Sequence, residues 1–160
     1  MNKVAALVED IARRTGNLRP LWMRLSILGF KDVIDHFSKE EGRSGAWAQL
    51  SPFTLAARKK GKHPERGIKI LQDSGHLRLS VHPTTPNKDQ EIVFEANRVI
   101  LRTNVIYAST HEYGRGALSS IKTRQTMPAI PKRSFMWVSK NARGGMQTAA
   151  EKWIAKGRED

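Results

Sequence analysis

At 160 residues the chain can bury one real core and is too short for two comfortable domains. It has no cysteine, which excludes a disulfide framework, a thiolate zinc site and a cysteine nucleophile. Lys and Arg number 28 against 15 Asp and Glu, a formal charge of +13, yet 39% of the residues are apolar and 4 are Trp, more than a disordered polycation carries. The chain is therefore expected to fold, and a charge of this size implies contact with nucleic acid, an anionic surface or an acidic protein.

Val4, Leu7, Val8 and Ile11 stand at i, i+3, i+4 and i+7, which predicts a helix over residues 3 to 14 ended by Gly16-Asn17. Glu9 and Asp10 interrupt this segment before it can resemble a secretory leader, so the protein is expected to be made and kept in the cytosol, or in something assembled there. A second helix is expected from Pro20, tolerated in a first turn, with Trp22, Leu25 and Leu28 followed by a fresh stripe of Phe30, Val33, Ile34 and Phe37. Gly29 within it marks either a kink or a close contact. Glu41 to Gly45 is predicted to be a loop, and Ser51-Pro52 an N-cap and first-turn pair for a short helix over Phe53 to Lys60.

Ile68, Leu71 and Gln72 are predicted to resume a helical turn that Asp73-Ser74-Gly75 breaks, with Gly75 as a corner. His76 to Val81 alternates through Leu77, Leu79 and Val81, which predicts a strand ended by Pro83 and Pro86. Ile92 to Phe94 and Val99 to Leu101 predict a hairpin around the polar turn Glu95 to Arg98. Ile106 to Tyr113 reads as a short helix stopped by Gly114, with both tyrosine rings expected to be buried. Arg115 to Thr126 reads as a polar, flexible loop, and Met127 to Pro131 as an extended segment leading to Phe135 and Trp137. Met146, Ala149, Ala150, Trp153 and Ile154 predict a last amphipathic helix from Ala142.

The expected class is α+β: a small antiparallel sheet packed by N-terminal, central and C-terminal helices, with extended loops. It is one domain over 1–160, with a helical part over 1–40, a core over 41–140 and a C-terminal helix and tail over 141–160. No stretch approaches the roughly 18 apolar residues of a membrane span.

The charge is unevenly placed. Arg58, Lys59, Lys60, Lys62, Arg66 and Lys69 against Glu65 leave +5, and nine basic residues from Arg98 to Arg143 against Glu112 leave +8, so two loop-rich segments hold the whole excess. Arg58, Lys59, Lys60, Lys62, Arg66, Arg115, Lys122 and Arg124 are thus the candidates for facing DNA or an acidic neighbouring ring. Pro131, Lys132, Arg133, Phe135 and Trp137 are candidates for a fixed arm, its aromatic pair anchoring it and its basic pair free for a neighbour.

Catalytic constellations are missing at the level of residue types. His111-Glu112 starts like a zinc-protease helix, but position 115 is Arg where a second His is needed. The five histidines have no ligand spacing, Asp73, Asp89, Glu91, Glu95 and Glu112 are isolated acids, and no glycine-rich phosphate cradle or nucleophile elbow occurs. No enzyme activity, cofactor or metal is expected, and no zinc finger, aromatic RNA-binding signature or basic recognition helix is present.

Three blocks carry a resemblance: Trp47 to Leu55 (WAQLSPFTL) with its basic run, Ile70 to Val81 (ILQDSGHLRLSV), and Tyr107 to Gly114 (YASTHEYG) with a later Ile130 to Phe135 (IPKRSF). Together, and in this order across roughly residues 40 to 140, they resemble the phage virion morphogenesis family of Mu-like tailed phages, related to tail-completion and neck proteins. Ser134 stands where a proline is common in that family, which puts the local turn there in doubt. The resemblance implies a structural virion protein of the head-tail joining region, assembled in the host cytoplasm. It implies a homo-oligomeric ring of six or twelve copies around the DNA channel, contacting connector, head-closure or tail proteins, and touching phage DNA without sequence preference. The alternatives are a tail terminator ring capping the tail tube, or a charge-driven DNA-binding accessory whose monomer would bind duplex DNA with a steep salt dependence.

Overall fold

A computed structural model describes residues 13, 15–61, 68–85, 87–116, 118–119 and 126–156. The helix predicted over residues 3 to 14 falls outside them except for Arg13.

The longest element, α1 (Arg19–Lys39), starts with Pro20 in its first turn and ends at Glu40, whose φ of 55° closes the helix in the left-handed region. Its buried positions Leu21, Ser26, Gly29, Phe30, Val33, His36 and Phe37 recur at helical spacing, so one face enters the core. A short ladder of β1 (Glu41–Gly42) and β2 (Gly45–Ala46) follows, where a loop was predicted. Helix α2 (Pro52–Lys59) begins as its sequence dictates, with the Ser51 hydroxyl accepting from the Thr54 amide at 3.1 Å.

The His76–Val81 strand is overturned: the segment forms the single-turn helix α3 (His76–Leu79), entered from Gly75 at φ 76°. Leu77 and Val81 are buried, as the alternation demanded, but Leu79 between them is 45% exposed. Residues four apart lie on one side of a helical turn as well as on one face of a strand, and only the third apolar residue separates the two cases. The helical turn predicted at Ile68, Leu71 and Gln72 is absent: Ile68 and Leu71 lie in non-helical turns, Leu71 at φ 59°, and Gln72 is irregular.

Strands β3 (Gln90–Phe94) and β4 (Val99–Thr103) pair antiparallel with Ile92 opposite Leu101, the predicted hairpin. Helix α4 (Ala108–Tyr113) stops at Gly114 as expected. The ends of the predicted Arg115–Thr126 loop are paired: Arg115 exchanges backbone hydrogen bonds with Ile130 at 2.8 and 2.7 Å, and β5 (Leu118–Ser119) pairs with β6 (Thr126–Met127). Finally, α5 (Lys140–Lys156) starts after Ser139, whose hydroxyl accepts from the Ala142 amide and donates to Asp32 of α1.

The architecture is α+β. Its strands form three separate two-stranded antiparallel ladders among the described residues, where a single small sheet was expected. Helix α1 is continuous through Gly29 and packs against both the β3–β4 hairpin and α5. Gly29 is a close contact: a Cβ there would stand 2.8 Å from Leu101 Cδ1 and 3.3 Å from Met146 Cε. The core gathers Phe30, Val33 and Phe37 of α1 with Trp47, Ile70, Leu77, Val81, Val105, Ala108 and Phe135. Phe37 packs against Trp47 edge-on at 5.6 Å and against Phe135 at 5.4 Å, ring geometries that add to plain burial. Among the described residues no helix is long and apolar enough to cross a membrane.

Candidate functional site

The arm proposed from sequence is a strap tied down on both sides and buried at Arg133, Ser134 and Phe135. Residues 130–136 run between α4 and the 42–49 segment, and backbone-directed bonds hold them from both sides. From α4, the Glu112 carboxylate accepts from the amides of Phe135 at 2.8 Å and Met136 at 3.0 Å, and the His111 carbonyl accepts from the Arg133 amide at 2.7 Å. From the other side, Trp47 Nε1 donates to the Ser134 carbonyl at 3.0 Å, and the Ser134 hydroxyl accepts from the Arg43 amide. Thus Ser134 is itself a hydrogen-bonding link.

Arg133 corrects the expectation of a free basic pair. It is 6% exposed, and its guanidinium donates through Nε to the Ala48 carbonyl at 2.9 Å and through Nη2 to the Gln49 carbonyl at 3.1 Å. Phe135 is fully buried, and Trp137 stacks at 4.3 Å on His36. Only Pro131 and Lys132 of the arm are exposed. Gly114 makes the approach possible: it sits at φ 78°, and a Cβ there would stand 3.0 Å from the Lys132 amide nitrogen.

One face of the strap borders a cleft of about 670 Å³. All the sequence blocks meet on it. Gln49, Leu50, Ser51 and Thr54 come from the first, Leu71, Asp73, Ser74 and Leu77 from the second, and Tyr107, His111, Ile130, Pro131 and Arg133 from the last. Arg58, Pro128 and Ala129 complete the wall. Leu71 holds its positive φ here because its side chain is buried in the core while Gln72 beside it donates to the Phe37 carbonyl at 2.8 Å.

Among the described residues the cleft wall carries two guanidiniums, Arg58 and Arg133, against the single carboxylate of Asp73. Arg58 reaches into it from α2, donating to the Lys69 carbonyl at 2.6 Å and standing 3.7 Å from Asp73. Burial, then the Arg133 and Arg58 charges, push the pKa of His111 down, so its neutral form is favoured. Burial and the Arg58 charge likewise push Arg133 down. Burial pushes Tyr107 up, against a hydrogen bond to Ser74 that lowers it.

The other candidates scatter. Lys59 and Lys60 are exposed at the end of α2, away from any recorded partner among the described residues, while Arg115 is half-buried with its Nε unpartnered among them. Lys62, Arg66, Lys122 and Arg124 lie outside the described residues. The tyrosine expectation also fails: Tyr113 is 76% exposed and Tyr107 remains partly open to solvent. By residue type Glu112 is an isolated acid and His111 lacks the second His of a zinc helix; their one sequence signal is membership of the Tyr107–Gly114 block. Among the described residues no group of three or more His, Asp or Glu is placed to hold a metal ion.

The profile of the phage virion morphogenesis family matches residues 1–155, well beyond the stretch from 40 to 140 that carries the sequence blocks. No curated protein and no solved structure matches the chain.

Proposed function

We propose, from the premise that this chain belongs to the phage virion morphogenesis family, that it is a non-enzymatic structural protein of the head-tail joining region. In this proposal it forms a ring of six or twelve copies around the DNA channel. Family membership makes it a virion morphogenesis protein of a bacteriophage; the neck position, the ring and the partners are our reading.

The observation that carries the reading is α2. Its sequence is amphipathic and well capped, yet none of its residues is buried, and Phe53 stands 84% exposed. In this reading Phe53 is an aromatic anchor that an assembly partner covers. Ile106, at 95% exposure in the loop before α4, is a second apolar side chain open to such a partner. In a morphogenesis protein the natural cover is a second copy or an adjoining ring, since closed rings repeat one heterologous contact. Lys59 and Lys60 at the end of the same helix give that surface a basic rim suited to an acidic ring or to DNA.

The test is complementation of a phage lacking the gene. Phe53→Ser should leave the monomer's melting temperature unchanged and leave heads and tails separate in electron micrographs. Replacing Lys59, Lys60 and Lys62 with Glu should block joining in the same way. Joined, infectious particles from either variant, or virions that lack this protein by mass spectrometry, would refute the reading.

A further inference from the structure

We propose that the cleft between α2 and the 128–131 segment is a receptor groove for an extended acidic segment of a neighbouring virion protein, a carboxylate residue flanked by apolar ones. The inference deepens the assembly reading and rests on it for the partner being a protein.

Size comes first. A volume of about 670 Å³ lies within the range of about 300–1,000 Å³ typical of pockets that enclose a ligand. The walls combine apolar side chains, Leu50, Leu77 and Ile130, with two guanidiniums and an imidazole. Such a lining suits a short peptide whose apolar side chains settle on the walls while one acid is held by the cations.

Charge decides the sign of the occupant. Arg58 and Arg133 both border the groove, and Asp73 is the acid among its described lining residues. Asp73 is largely solvent-exposed and 3.7 Å from Arg58 Nε, too far for a hydrogen bond. A guanidinium carries five N–H groups; among the described residues Arg133 uses Nε and Nη2 on the Ala48 and Gln49 carbonyls. His111 Nδ1 is buried with no partner among them. Asp73 balances one of the two guanidiniums, so a bound carboxylate would balance the second while taking up charge-assisted hydrogen bonds.

Depth separates a peptide from DNA. Duplex phosphates lie on a convex surface and are met by protruding lysines and arginines. Here Arg133 is 6% exposed and the Arg58 side chain 14%. An acidic side chain on an extended strand can enter such a groove, whereas a phosphate that stays in a duplex cannot.

The experiment uses the purified full-length chain and a display library of short random peptides. Selected sequences should be enriched in Asp or Glu beside apolar residues. A synthetic winner should shift the His111 imidazole resonance, and Asp→Asn or Glu→Gln in that peptide should weaken binding about tenfold or more, the fold-change of one charge-assisted hydrogen bond. Arg58→Gln should cause a similar loss, and so should Ala129→Glu, which sets a competing carboxylate on an exposed part of the wall and keeps the test valid if Arg58→Gln impairs folding. Winners without acids, binding unchanged by Ala129→Glu, or a short DNA duplex that displaces the peptide and shifts His111 would overturn the proposal. Phage complemented by a protein unable to bind the peptide that still join heads to tails would sink the groove and leave the assembly reading standing. Peptide binding by a protein absent from virions would do the reverse.

Discussion

Replacing Glu112 by Ala removes the one oxygen that accepts from both the Phe135 and the Met136 amides. Hydrogen bonds to a charged acceptor contribute about 1.5–3 kcal/mol each. Glu112 is half-buried, so water can partly replace it, and two bonds to one oxygen are not additive. The expected destabilisation is therefore nearer ~3 kcal/mol than twice that. Glu112→Gln keeps an oxygen within reach and loses only its charge, so ~1 kcal/mol is expected. Urea unfolding followed by tryptophan fluorescence measures both, with an unchanged m-value because the same surface unfolds. For a chain of this size ~1 kcal/mol corresponds to about 2–4 °C, so Glu112→Ala should melt ~6–12 °C below the wild type. A loss under ~1 kcal/mol for the Ala variant, or equal losses for Ala and Gln, would mean that Phe135's burial alone seats the strap.

Gly114→Ala forces a Cβ into the left-handed region and to within 3.0–3.2 Å of the strap backbone at Ile130 and Lys132; a loss of ~2–3 kcal/mol in urea is expected. Gly144→Ala is its opposite, a helical glycine with nothing within 4 Å of the added carbon, and should stabilise by ~0.5–1 kcal/mol. Trp47→Phe keeps a ring against Phe37 but removes the donor to the buried Ser134 carbonyl, for an expected loss of ~1–2 kcal/mol by thermal melting. His111 sets a pH dependence. Burial, Arg133 and Arg58 hold its folded pKa below the ordinary 6.5, so the unfolded chain takes up the proton first. Its stabilising contribution is complete above 6.5 and is lost as pH falls through 6.5 toward the folded value. The urea midpoint of the wild type should fall more than that of His111→Gln between about pH 7.5 and about pH 5.5; parallel curves would assign the titration to another group.

Elements set by local chemistry were legible before the structure. The stripe from Phe30 to Phe37, the Ser51-Pro52 cap, the hairpin around Glu95 to Arg98 and the stop at Gly114 each depend on residues within one or two turns of themselves. The error at His76–Val81 has an equally local cause. Leu77 and Val81 are four apart, an offset that both a strand and a helical turn place on one side, and the exposure of Leu79 is decided by what packs around it. The pairing of Leu118–Ser119 with Thr126–Met127 lies in a stretch without apolar alternation, so no periodic signal marked it.

By itself, then, the sequence determined the α+β class, the main helices, the hairpin, the concentration of +13 into two segments and, through its ordered blocks, the family. Tertiary structure alone decided what the charged residues do. Glu112 and Arg133 are 21 positions apart in sequence and read as surface charges. In the fold one clamps the strap's amides and the other ties that strap to the Ala48 and Gln49 carbonyls. The physical reason is that burial and hydrogen-bond partners are set by segments distant along the chain, and no pattern of residue types records which segment arrives. The same packing brought Arg58, His111 and Arg133 to one cleft, so part of the charge that composition reported as surface lines a groove.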